Sequence, residues 1–164
     1  IVPMLAMGNA MSTFTAQNMG AGKIDRVKEG YRMCYVIVLT AGAVLCVMYQ
    51  LAGGAFVSLF LDSGSSEAYS VGLSYVKFLS FFYSFIGLKA STDGLLRGAG
   101  DVTAFTVANL VNLAIRVSVT NLFAPVYGIQ VAWMAVPLGW AANYVISFGW
   151  YLTGKWKKVR VIKK

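Results

Sequence analysis

Four apolar stretches, residues 35–61, 69–88, 102–123 and 129–152, are each long enough as a helix to cross a hydrocarbon layer about 30 Å thick. Backbone groups have no water to bond inside lipid, so a spanning segment must be a helix or part of a closed barrel. Barrel strands are about ten residues long and alternate strictly between apolar and polar, and none of the four stretches does so. The fold class expected is therefore an all-α integral membrane protein, a helical bundle. With 58% hydrophobic and only 12% charged residues, the chain lies far from a soluble domain, in which about 25% are charged.

The opening segment, IVPMLAMGNAMSTFTA, has no initiating Met and no basic region before its apolar part, and its second half is polar, so it does not read as a signal peptide. It reads as the end of a helix, residues 1–17, whose beginning lies upstream. The expected organisation is about four full transmembrane helices plus the end of a fifth, with a basic tail over residues 153–164, the whole being part of a longer protein.

There is no histidine, which excludes catalytic schemes and metal sites built on imidazole, and no catalytic or metal-ligating set is expected. Cys34 and Cys46 are twelve apart on one expected helix and cannot meet, so they read as packing residues. No cofactor and no enzyme activity are expected.

The net charge of +8 could suggest nucleic acid, but its placement says otherwise. Lys23, Arg26, Lys28 and Arg32 precede the first full span, Lys89 and Arg97 follow the second, and Lys155, Lys157, Lys158, Arg160, Lys163 and Lys164 follow the fourth. The loops on the other side, around Ser63 and Pro125, carry no basic residue. By the positive-inside rule the basic face is cytoplasmic, the partner is a lipid bilayer rather than nucleic acid, and Trp150, Tyr151 and Trp156 fit an interfacial aromatic belt. In a background lacking Cys34 and Cys46, cysteine placed at Ser65 is expected to react with a membrane-impermeant thiol reagent in intact cells, and cysteine at Lys157 is not; labelling at Lys157 instead would reverse the orientation.

Two cations fall inside spans, Lys77 and Arg116, where insertion costs at least about 2.5 kcal/mol. Either both reach outward to headgroups or both line a water-filled cavity; Asn112 lies one turn before Arg116 on the same face. At the inner end of the second span, KASTDGLLRGAGD sets Lys89, Asp93 and Arg97 four apart, on one helix face if the helix persists through Gly94. Asp93 is then expected to be held by both cations, and Gly87, Ala90 and Ser91 to permit close helix approach.

TAQNMGAGKIDRVKEG, residues 15–30, invites comparison with a phosphate-binding loop, but Gln17 stands where that loop needs glycine and Ile24 where it needs Ser or Thr. It reads instead as a cytoplasmic helix-to-helix turn, with Asn18 and Gly20 suited to ending a helix.

This turn and TDGLLRGAGDVTAF together resemble the second half of the multidrug and toxic compound extrusion (MATE) transporters. In that family a Q-N-x-G-A-G-x-x-x-R turn joins the eighth and ninth helices, matched by Gln17, Asn18, Gly20, Ala21, Gly22 and Arg26. An L-R-G-A-G-D turn joins the tenth and eleventh, matched by Leu96, Arg97, Gly98, Ala99, Gly100 and Asp101. The likeness covers essentially the whole chain in order and spacing. It implies part of a twelve-helix, two-lobed exporter in the plasma membrane, the bacterial inner membrane, working by alternating access. Such a protein moves small cationic or amphipathic organic substrates against a proton or sodium gradient, and the N-terminal lobe of the same protein is the missing partner. Transport or gating candidates are Lys77, Lys89, Asp93, Arg97, Asn112 and Arg116. Members with a coupling carboxylate in the tenth helix carry it where Ile86 stands, so that ion site does not transfer. Relatives with the L-K-x-x-x-D-G-x-L-R-G-A-G pattern often have proline where Phe81 stands and an acid where Asn112 stands, so neither a kinked tenth helix nor an acid pair with Arg116 is implied for this chain. Two other classes fit less of the sequence: a lipid-linked oligosaccharide flippase of the same superfamily, which would want a more cationic cavity than Lys77 and Arg116 supply, and a non-transporting membrane scaffold, which would need no intramembrane charge.

Overall fold

A computed structural model describes residues 1–61 and 67–158. The connection at residues 63–66 and the tail cations Arg160, Lys163 and Lys164 lie outside the described residues. Six α-helices follow one another: α1 (Val2–Gly20), α2 (Ile24–Ser58), α3 (Glu67–Ser80), α4 (Tyr83–Gly98), α5 (Val102–Tyr127) and α6 (Ile129–Leu152), with a short 3-10 turn at Lys155–Lys158. There is no strand among the described residues. By length and apolar character α2, α5 and α6 can each cross a membrane, and α3 with α4 makes a fourth, broken span bent by 55°. The chain is an all-helical, multi-pass membrane bundle.

The break is the first departure from expectation. Phe81 and Phe82, with no proline, separate the two helices, and the freed backbone finds other partners. The Lys77 carbonyl accepts from Gln50 Nε2 at 2.9 Å and from Ser80 Oγ at 2.7 Å, and Gln50 Nε2 also donates to Ser80 Oγ at 3.0 Å. A side chain inserted from a neighbouring helix is one of the recognised causes of a kink, and it removes the need for proline.

α4 is the centre of the bundle. It runs parallel to α1 and α6 and antiparallel to α2, and every residue from Ala90 to Leu96 is buried. A helix buried on all sides must be slim where neighbours approach by backbone, and α4 is: Gly87, Ala90, Gly94 and Gly98 recur every three or four residues. A Cβ added at Gly94 would overlap the Gly8 carbonyl oxygen, one at Gly98 the Ser12 carbonyl oxygen, and one at Gly8 would sit 2.6 Å from the Ala90 carbonyl oxygen. On the α2 side a Cβ at Gly42 would sit 2.9 Å from the Ser84 backbone nitrogen.

Both glycine-rich turns close with the same geometry. Gly22 and Gly100 adopt φ of 70° and 85°, a left-handed conformation that glycine alone takes freely. Lys23 N donates to Asn18 O at 2.8 Å and Gly22 N to Met19 O at 3.0 Å; Asp101 N donates to Leu96 O at 2.9 Å and Gly100 N to Arg97 O at 3.0 Å. These are paired Schellman closures. The turn-ending residue is thus Gly22, not Asn18 or Gly20: Gly20 is still helical, and Asn18 donates from Nδ2 back to the Phe14 carbonyl at 2.8 Å. The α5–α6 connection is tighter than the loop expected around Pro125, since α5 continues through Pro125 and Gly128, at φ 84°, alone links the two helices.

Candidate functional site

A buried polar cluster occupies the half of the bundle nearer the two glycine turns, where α4, α5 and α6 meet. α4 persists through Gly94, so Lys89 and Asp93 share a face; Lys89 Nζ lies 3.2 Å from Asp93 Oδ2. Asn109 of α5 bridges the two, accepting from Lys89 Nζ at 3.0 Å and donating to Asp93 Oδ2 at 3.2 Å. From α6, Ser147 Oγ donates to Asp93 Oδ1 at 2.6 Å. Asp93 is only 4% exposed, and Asn143 and Ser147 are fully buried. Three helices therefore converge on one carboxylate that is paired and hydrogen-bonded through both oxygens, the condition under which a buried charge is tolerated.

Arg97 does not join this pair. Its Nη2 donates to Asn9 Oδ1 at 2.8 Å and its Nε to Ser12 Oγ at 3.3 Å, both on α1, and its guanidinium lies 5.6 Å from the centre of the Phe105 ring. The expected three-member cluster is thus an ion pair beside an arginine that ties α4 to α1 and α5. A cleft of about 270 Å³ reaches the pair between these helices, with Asn9, Lys89, Asp93, Arg97 and Asn109 among its walls.

The remaining sequence candidates lie elsewhere. Lys77 is half-buried, with its stem packed beside Gly53 of α2. Asn112 is buried against Gly139 of α6, and Arg116, one turn on, is exposed. Gln17 and Arg26 are exposed near the α1–α2 turn. Asp101 caps α5 by accepting from Ala104 N at 3.3 Å, and its other oxygen accepts from Trp150 Nε1 at 2.8 Å, fastening the end of α6 to the α4–α5 turn. Trp156 is fully buried and stacks on Tyr151 at 5.6 Å, so it is a packing residue and not part of an interfacial belt.

Sequence reasoning missed Asn109, Asn143 and Ser147. Their signal was present: amides and a hydroxyl inside apolar spans, with Asn143 and Ser147 one turn apart. It also missed a second buried network, in which Tyr31, Tyr35 and Thr92 share hydroxyl hydrogen bonds, Tyr31 with Thr92 at 2.7 Å and Tyr35 with Thr92 at 2.9 Å, and Tyr35 donates to Tyr144 OH at 3.2 Å.

A broken span, backbone-close helix pairs and a paired carboxylate define a multi-pass helical membrane bundle that carries buried charge. Residues 1–137 match the MatE family model, and the chain belongs to that family. It is 28% identical over 161 residues to the "Probable multidrug resistance protein YpnP" of Bacillus subtilis, covering 98% of this chain and 36% of that protein. Over 165 residues it is 23% identical to the "Probable multidrug resistance protein YoeA" of the same organism, covering 99% and 35%. Over 172 residues it is 19% identical to the "Probable multidrug resistance protein NorM" of Thermotoga maritima, also covering 99% and 35%. The chain thus spans about a third of the length of these curated relatives. No solved structure matches it.

Proposed function

We propose that the chain is the larger part of the second lobe of a multidrug exporter in the plasma membrane, which expels small cationic or amphipathic organic compounds in exchange for protons or sodium ions by alternating access. It acts as a transporter and not as an enzyme. The observation that carries this reading is the Lys89–Asp93 pair: a buried charge pair gripped by three helices has two discrete states, made and broken, and can bias how the inner ends of those helices pack. Membership of the MatE family and relatives named for multidrug resistance support the substrate class. The rest of the protein supplies the opposing lobe, since alternating access needs one body to rock against another around a site between them.

Two preparations in liposomes test this. The complete protein, given a proton or sodium gradient, is expected to move a fluorescent organic cation; residues 1–164 alone are expected to move none above protein-free vesicles. Gradient-driven transport by residues 1–164 alone would overturn the reading of the chain as one part of a two-part machine, and no transport by the complete protein under either gradient would overturn the exporter.

A further inference from the structure

Arg116 is a cation without a counter-charge among the described residues. Of the six acidic residues in the chain, Asp25 and Glu29 lie at the start of α2, Asp101 caps α5, Glu67 opens α3, and Asp93 is taken by Lys89; Asp62 lies outside the described residues, in the α2–α3 connection. α5 has 26 residues and so spans about 39 Å, against about 30 Å of hydrocarbon. Arg116 stands about 16 Å of helix rise from Tyr127; with the excess length shared between the two ends, its Cα is about 12 Å inside the hydrocarbon surface on that side. That is deeper than a guanidinium on a three-methylene stem can fully escape, so headgroup phosphate is a poor partner. Leaving the charge unmatched there carries the insertion cost of a central arginine, at least about 2.5 kcal/mol.

The surroundings set polar groups beside the arginine in an otherwise apolar cleft. Arg116 borders an open cleft of about 450 Å³ between α5 and α6, walled by Leu113, Val117, Ala132 and Val136 and by the polar Thr120 and Asn121. A hydroxyl and an amide one turn beyond the arginine add hydrogen-bonding groups that lipid tails cannot use.

We propose that Arg116 is the docking point for a carboxylate side chain carried by a part of the complete protein outside these 164 residues, which seats in the α5–α6 cleft with Thr120 and Asn121 beside it. Charge complementarity selects an acid, and depth selects protein over lipid headgroup. The proposal rests on the chain being part of a longer protein, but it needs no particular substrate or coupling ion.

The test uses the complete protein in its native membrane, with a benzophenone amino acid replacing Thr120 and Arg116 left intact. Irradiation is expected to give a cross-linked peptide from outside residues 1–164 that holds Asp or Glu within one helical turn of the attachment point. Arg116→Gln is expected to lower the amount of intact protein in the membrane about tenfold by leaving that acid unpaired, and neutralising the acid as well is expected to recover most of it. Cross-links only to lipid, only within residues 1–164, to a peptide without an acid, or to nothing would each overturn the assignment, as would failure of the double variant to recover. These readouts are structural, so they can succeed or fail whether or not the exporter reading holds.

Discussion

Replacing Gly94 by leucine is expected to detach α1 from α4 and leave no stable bundle. The Cβ alone would overlap the Gly8 carbonyl oxygen, and both parties to the clash are helix backbone, so no flexible side chain can move aside. Relief requires the helices to separate. Separation in turn loosens the neighbouring contacts of Gly8 with Ala90 and of Gly98 with Ser12, and takes Asn9 and Ser12 away from Arg97. Overpacking a well-packed interior ordinarily costs about 1–3 kcal/mol, and a rigid contact of this kind should lie at or above the top of that range. In a membrane the loss is not recovered by apolar burial elsewhere, because lipid tails solvate an exposed helix as well as a neighbouring helix does. The measurement is the thermal midpoint of the purified complete protein in detergent. Gly20→Ala is the control: Gly20 is helical and a Cβ there meets nothing within 4 Å, so that variant should be as stable as the parent or slightly more so. A Gly94→Leu protein melting with the parent would mean that α1 and α4 do not pack as described.

The same glycines show where sequence reading reaches and where it stops. Run length and the demand for internal hydrogen bonding were enough for an all-helical membrane bundle, because those constraints act on each segment alone. The glycine turns were recognisable for the same reason, since a left-handed closure is local. What could not be read was everything set by a neighbour. The apolar run starting at residue 69 weakens at Lys89, which suggested the inner end of a span, yet α4 continues to Gly98 as the most enclosed helix of the bundle; its small and polar residues are there because other helices surround it. The break before α4 is bridged by Gln50 of α2 and has no proline to announce it. Arg97 at i+4 from Asp93 looked like a partner by spacing, but Asn9 and Ser12, more than eighty positions away in the chain, claim it. Of the candidate site, Lys89 and Asp93 were visible as a charged pair at helical spacing, while Asn109 and Ser147, which convert that pair into a junction of three helices, were visible only as isolated polar residues in apolar spans.

Asp93→Asn is expected to abolish export while Lys89→Gln combined with Asp93→Asn restores assembly without restoring transport. Asparagine keeps the shape of the side chain and can still accept from Ser147, but its amide nitrogen would face the Lys89 ammonium, ion-paired with Asp93 Oδ2 in the parent, and Asn109 Nδ2, which donates to that oxygen. One donor is then opposed to two others, and a buried ammonium loses its counter-ion. Removing one member of a buried pair typically costs about 3–5 kcal/mol, most of it the cost of the charge left behind. The single variant should therefore accumulate poorly in the membrane. In the double variant the stranded charge is gone, and two amides in reach of Asn109 can bond one another, so stability should return towards the parent. Transport separates the two roles open to the pair. If the charges only hold α4, α5 and α6 together near the glycine turns, the stable double variant should export a fluorescent organic cation at the parental rate. If the making and breaking of the ion pair biases the packing of those helices during the cycle, a neutral pair, which has no comparable difference between its made and broken states, should leave a well-assembled protein that binds substrate and exports it at least about tenfold more slowly, a change of about 1.4 kcal/mol in the barrier. Parental export by the double variant would return Lys89 and Asp93 to a purely architectural role.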